Sequence, residues 1–261
     1  MKKYAIIVAG GAGVRMGTTV PKQFLLLHGK TVLWYTLRTF LSADPDMQVV
    51  LVVPEAHLDT AGESIEGLTG VERIRLASGG DTRFHSVRNG LEKIKEEIGG
   101  GLPIGGGAAG GEAAGGEAAG GGMKGGGSNG RGPGEESVIF VHDGVRCLVS
   151  KELIQRCYEQ AVQLGSAIPV IDCPDSVRLA EDVGSKPIDR RRIKLVQTPQ
   201  TFRSDILLPA YMQDHQEAFT DEATVIEEAG HPVYLIEGER TNIKITTPED
   251  LVMAGYWLKE A

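Results

Sequence analysis

The sequence predicts an α/β fold, a mostly parallel sheet flanked by helices. Two observations carry that expectation. Short apolar runs of strand character alternate with segments whose apolar residues recur at helical spacing. The strand runs are continuously apolar, as in a parallel sheet covered on both faces. A third stretch, 172–192, is polar with short extended pieces and turn residues, and reads as a β-arm leaving the sheet.

The elements follow in order. A first strand spans 4–8, where an apolar run meets Gly10 and Gly11. The lysines before it mimic a secretion signal, but the run is too short for one, at about six residues. A helix at 31–41 leads to strands at 48–53 and 73–77, and a long helix covers 81–98. A strand at 138–141, a helix at 151–164 and a strand at 167–171 repeat the alternation. Helices at 205–213, 221–229 and 248–258 complete a single domain over 1–261. Residues 99–134 stand apart, holding just over half of the 36 glycines and an imperfect GGEAA repeat. Such a segment buries too little apolar surface to offset its ordering entropy, so a disordered surface insertion is expected.

Composition narrows the function. The formal net charge of -8 argues against a nucleic-acid coat. No apolar stretch is long enough to span a membrane. Cys147, Cys157 and Cys173 lack the spacing of a disulfide framework or zinc site, which suggests a reduced, cytoplasmic setting. An acidic protein that binds an anion must concentrate its cations locally, so single lysines and arginines matter.

The stretch AIIVAGGAGVRMGTTVPKQF (5–24) combines a strand, a glycine loop and two cations, Arg15 and Lys22. It is not a P-loop. Gly29-Lys30-Thr31 offers the end of that motif, but Phe24 stands where its first glycine belongs. It is not a dinucleotide fingerprint either, because Gly11, Gly13 and Gly17 are one residue too widely spaced and the expected ribose-binding acid is missing. That spacing argues against an NAD-binding oxidoreductase. A nucleotidyltransferase loop fits, with glycines admitting phosphate oxygens to the backbone and Arg15 and Lys22 neutralising a triphosphate.

VAGGAGVRMGTTVPKQF (8–24) resembles the signature loop of the 2-C-methyl-D-erythritol 4-phosphate cytidylyltransferases. Five further blocks resemble that family in order: SGGDTRFHSVRNGL (78–91), VHDGVRCLVS (141–150), VQTPQTF (196–202), FTDEATVIEEAG (219–230) and NIKITTPEDL (242–251). The resemblance implies a Rossmann-like nucleotidyltransferase fold whose protruding β-arm serves dimerisation. It also implies the reaction of CTP with methylerythritol 4-phosphate to give the CDP-alcohol and pyrophosphate, with Mg²⁺, in non-mevalonate isoprenoid synthesis. The nucleophile would be a phosphate monoester, largely dianionic at neutral pH because its second pKa is about 6. No general base is then needed, and catalysis rests on positioning and charge neutralisation.

Residue roles follow from the same resemblance. Arg15 and Lys22 would stabilise charge on the α-phosphate and the departing pyrophosphate. Ala9, Gly10, Gly11 and Gly13 would line the phosphates, and Gly80, Asp81 and Ser86 would read the cytosine. Asp143 would sit near Mg²⁺ or the sugar hydroxyls, with Arg146 beside it and Thr198 also on the substrate side. Lys244 resembles the lysine that positions the attacking phosphate. Arg190 resembles an arginine reaching the acceptor phosphate from a partner subunit, though Arg191 is an alternative register. In the arm, Ser176 is the preferred hydroxyl partner and Cys173 the alternative. Cys147 departs from the family, which often has proline there. His142 reads as a satisfied residue at the sheet edge. Ribitol 5-phosphate is an alternative acceptor.

Overall fold

The computed structural model describes residues 1–11, 16–98 and 136–260. The expected insertion 99–134, and Gly13 and Arg15 of the glycine loop, lie outside the described residues. Four parallel strands form the centre of the sheet: β1 (Lys2–Val8), β4 (Gln48–Val53), β5 (Ile74–Ser78) and β6 (Ser137–Asp143). β6 pairs with β1 in register from Lys2 opposite Ser137 to Val8 opposite Asp143, so the carboxylate emerges level with the start of the glycine loop.

Every residue of β6 is buried, the apolar run 138–141 and the polar Ser137, His142 and Asp143 at its ends alike. Alternate residues of β1 and β4 point to opposite faces. Ala5, Ile7, Val49 and Leu51 pack under α1 (Val32–Ala43) and α4 (Lys151–Leu164). Tyr4, Ile6, Val50 and Val52 pack against α3 (Arg83–Ile98), α5 (Ser204–Ala210) and α6 (Glu222–Glu228). Local signals set the helix ends. The Ser150 hydroxyl accepts the Leu153 N–H at the start of α4, and Gly165 closes that helix at φ 94°. Asp221 and Thr224 form a reciprocal capping box on α6.

The chain runs from β1 outward through β4 to β5, then crosses back to place β6 on the other flank of β1. This reversal opens a crevice at the carboxyl ends of β1 and β6, where open α/β sheets bind ligands.

Beyond β6 the structure adds elements the sequence reading did not anticipate. β11 (Gln200–Arg203) runs antiparallel between β6 and β7 (Ser166–Asp172). β10 (Lys194–Val196) and β12 (Leu235–Glu237) extend the same flank on β7. These strands have three or four residues each, and β11 buries the polar Gln200 and Thr201, so no apolar run announced them. A hairpin of β2 (Leu26–Leu27) and β3 (Lys30–Thr31) and a short α2 (Leu58–Ser64) were likewise not anticipated. The helix expected at 205–213 stops at Ala210, one residue after Pro209. α7 (Pro248–Glu260) closes the described chain.

Within 172–192, β8 (Val177–Ala180) and β9 (Ser185–Ile188) form an antiparallel hairpin. It is a largely exposed arm, with Val183 at its turn 92% exposed.

Candidate active site

The crevice holds a cleft of about 650 Å³. Five segments meet there, namely the end of β1, the turn at Lys22–Phe24, the end of β4, the loop before α3 and the end of β6, with the irregular stretch around Lys244 at the mouth. Ala9, Gly10, Gly11, Lys22, Gly80, Asp81, Ser86, Asp143 and Lys244, each expected from the sequence, all line it.

Lys22 opens a 3₁₀ turn, Lys22–Phe24, and is buried among its neighbours. The next residue, Gln23, donates from Nε2 to the Ala9 carbonyl at 2.8 Å and ties this turn to the glycine loop. The lysine stem therefore runs along the loop: a Cβ placed on Gly11 would lie 3.5 Å from Lys22 Cε.

The Gly79-Gly80 loop is held from inside. Ser86 Oγ accepts the Gly80 N–H at 3.1 Å and donates to the Thr82 carbonyl at 3.0 Å. Its proton is thus engaged in shaping the loop. Gly80 must be glycine, since a Cβ there would fall 2.4 Å from His85 Cβ.

Asp143 is the electrostatic centre. Its Oδ1 accepts from Arg83 Nη1 at 2.6 Å, and its Oδ2 lies 3.2 Å from both Arg146 Nε and Lys244 Nζ. Burial opposes ionisation here, but Arg83, then Lys244 and Arg146, hold the carboxyl well below the usual carboxylate range. Arg83 turns its other edge to Glu222, with Nε to Oε1 at 3.0 Å and Nη2 to Oε2 at 2.9 Å. Burial raises the Glu222 carboxyl while Arg83 opposes that rise. Arg146 is fixed a second time by donating from Nη1 to the Asn242 carbonyl at 2.8 Å.

A neutral hydrogen-bond chain supports this charge from below. The Asp143 N–H donates to Thr198 Oγ1 at 3.1 Å, and Thr198 Oγ1 lies 3.0 Å from His142 Nδ1. His142 Nε2 faces the Arg146 carbonyl at 3.1 Å and must be the protonated nitrogen, so the Thr198 hydroxyl donates to Nδ1. Burial pushes the His142 imidazolium down to about 3, which keeps the ring neutral, and both ring nitrogens have partners, as expected of a satisfied residue. Burial also pushes the Cys147 thiol up to about 12, so this departure from the family pattern is a packed, unreactive group.

Two expectations fall elsewhere. Arg146 and Thr198 do not line the cleft but brace Asp143. Ser176 and Arg190 lie exposed on the arm and do not line the cleft of their own chain. Arg190 Nη1 donates to the Pro174 carbonyl at 2.5 Å, whereas Arg191 pairs with its own Asp189. Asp143, expected near Mg²⁺ or the sugar hydroxyls, has both oxygens paired with cations, Oδ1 with Arg83 and Oδ2 with Arg146 and Lys244. Among the described residues no group of three or more His, Cys, Asp or Glu is arranged to hold a metal. Sequence reasoning missed Arg83 and Glu222. Both stand inside the quoted blocks, but their pairing joins residues 139 positions apart.

Comparison with known proteins agrees with this geometry. The family model for 2-C-methyl-D-erythritol 4-phosphate cytidylyltransferase matches residues 4–99 and 131–260. The chain belongs to that family. A relative from Bacteroides fragilis bearing the family name is 42% identical over 258 residues, covering 99% of this chain and 100% of its own. One from Porphyromonas gingivalis is 39% identical, with 97% and 96% covered. The crystal structure of the Thermus thermophilus enzyme superposes with a TM-score of 0.67 at 28% identity, covering 99% of this chain and 100% of that one. The Rossmann-like nucleotidyltransferase fold expected from the sequence is therefore the fold of this chain.

Proposed function

We propose that this chain transfers a cytidylyl group from CTP to 2-C-methyl-D-erythritol 4-phosphate. An oxygen of the acceptor phosphate attacks the α-phosphorus of CTP. A new P–O–P bond forms, the bond from the α-phosphorus to its bridging oxygen breaks, and pyrophosphate leaves with the electron pair. The observation that carries this reading is the placement of Lys22 and Lys244 on one cleft at the carboxyl ends of the sheet, in a chain of this family. Two anions must meet there, and lysines on either side offset their repulsion.

The roles divide by position. Lys22, with Arg15 and the loop backbone of Ala9, Gly10, Gly11 and Gly13, takes the α-phosphate and the pyrophosphate. Gly80 and Asp81, in the loop shaped by Ser86, offer a hydrogen-bonding edge to cytosine; such edges reject wrong bases strongly. Lys244 holds the acceptor phosphate over Asp143. The cofactor would be Mg²⁺, which would supply further charge neutralisation to the triphosphate beside Lys22 and the glycine loop. The arm makes a homodimer in which Arg190 and Ser176 (or Cys173) reach the partner's acceptor site. The setting is cytoplasmic. It is consistent with three free cysteines and with the absence, among the described residues, of any helix long and apolar enough to cross a membrane.

Pyrophosphate release from purified protein with CTP and Mg²⁺ tests the reading, with methylerythritol 4-phosphate and ribitol 5-phosphate offered in parallel. Release with the first alone is expected. Release with ribitol 5-phosphate alone would move the function to polyol-phosphate activation.

A further inference from the structure

Arg83 presents a puzzle. A guanidinium that lines a triphosphate cleft would be drawn to the nucleotide, yet this one is occupied on both edges by carboxylates. Glu222 grips Nε and Nη2 in a two-point fork while Asp143 takes Nη1. The fork is anchored deep, since Glu222 is 1% exposed and opens α6 under its capping box. Arg83 in turn opens α3, so the pair ties the starts of two helices to the end of β6.

Charge counting shows what the clamp achieves. Asp143 and Glu222 carry two negative charges, and Arg83 and Arg146 carry two positive ones. The floor of the cleft is thus balanced without Lys244. Both arginines are fixed a second time, Arg83 by Glu222 and Arg146 by the Asn242 carbonyl. Lys244 is different. Its side chain is 46% exposed against 24% for Arg83 and 11% for Arg146, and it stands at the mouth. Of the three cations on Asp143, it is the one that can leave without stranding a buried charge.

We propose that Glu222 is a positioning residue that clamps Arg83 onto Asp143, so that Lys244 is released from Asp143 to the acceptor phosphate. The inference deepens the reading above and rests on the acceptor role given there to Lys244. With the clamp in place, Asp143 stays paired when a phosphate dianion draws the ammonium away. Without it, Arg83 loses the two-point fork that fixes its guanidinium, and its Nη1 is no longer held on Asp143. Asp143 then keeps Lys244 as its counter-ion, and the acceptor phosphate must compete for it.

The test compares Glu222→Gln, Lys244→Ala and the double variant, with CTP and methylerythritol 4-phosphate varied separately. Glu222→Gln is expected to raise the KM for the acceptor about tenfold and to leave the KM for CTP within about twofold. In the Lys244→Ala background it should add less than about twofold, because the lysine it acts through is gone. Equal increases in both KM values, or multiplied effects in the double variant, would overturn the proposal in favour of a merely structural role. Should Glu222→Gln fail to fold, Arg83→Gln/Glu222→Gln replaces both members and leaves no unpaired charge between them; the same selective rise in acceptor KM is expected. A wild type that turns over CTP with neither acceptor would sink the functional reading, not this one. For that case, inorganic phosphate is titrated against protein carrying ¹⁵N-labelled lysine. The Lys244 ammonium signal should move in the wild type and need about tenfold more phosphate in Glu222→Gln. No movement in the wild type, or identical titrations, would overturn the hand-over.

Discussion

Lys22 and His142 show how burial gives single side chains opposite uses. Lys22 is buried against the glycine loop and lines the cleft, where a cation acts on phosphate oxygens at reduced dielectric. Lys22→Ala is expected to lower kcat by about a hundredfold or more, the scale of losing one charge-stabilising donor. Steady-state pyrophosphate release measures this, and a near-wild-type kcat would remove Lys22 from the site. His142 is kept neutral instead, its pKa pushed down to about 3. A histidine depressed in the folded state takes up protons more readily when unfolded. Its contribution to stability is therefore complete above the usual value near 6.5 and is lost as pH falls from there toward about 3. The Asp143 carboxyl, depressed too, loses its contribution only below about pH 5. The thermal midpoint is expected to fall between about pH 7 and about pH 5, and His142→Gln should flatten that slope. An unchanged slope in the variant would assign the proton uptake to another group.

Among the elements, α3 is placed by the absence of a side chain. Gly90 lies mid-helix, and a Cβ there would sit 2.8 Å from Ile6 Cγ2 and 3.2 Å from Val52 Cγ2. Helix propensity alone favours alanine over glycine by about 1 kcal/mol. Overpacking a core contact costs about 1–3 kcal/mol. The contact partners are branched side chains on the two central strands and cannot swing aside, so the second effect wins. Gly90→Ala is expected to lower stability by up to about 2 kcal/mol in urea unfolding. A gain in stability would show that α3 can lift from the sheet. Any lift would also move Arg83, Ser86 and the Gly80 loop, so KM for CTP should rise in the same variant. The sequence marked this helix well, because Phe84, Val87, Leu91 and Ile94 recur at helical spacing and all are buried in the same cluster. It marked β10, β11 and β12 poorly. Their pairing partner is β7, or β6 and β7 together, and short strands of mixed polarity carry no period of their own.

For the molecule as a whole, the arm sets apart residues that the cleft would need. Arg190 and Ser176 stand on the hairpin side, outside the cleft of their own chain. If a partner's arm completes the site, a dimer mixing Arg190→Ala subunits with Lys22→Ala subunits should regain up to about a quarter of wild-type turnover, from the dimers holding one intact composite site. Both homodimers should stay weak, with Arg190→Ala showing chiefly a raised acceptor KM. No recovery on mixing would return Arg190 to its own subunit or to the surface.

The sequence by itself determined the alternation of strand and helix, the glycine loop at the end of β1, and six blocks that hold most of the cleft residues and those that brace them. These are local properties: hydrophobic period, capping chemistry and backbone freedom are written within a few positions of where they act. Only the tertiary structure decided which cations surround Asp143, and that Arg83 and Glu222 stand behind it. The deciding interactions join β6 to α3, α6 and the Lys244 segment, elements far apart along the chain. A buried charge is specified by what the fold brings against it, and that pairing leaves no period or spacing in the sequence to read.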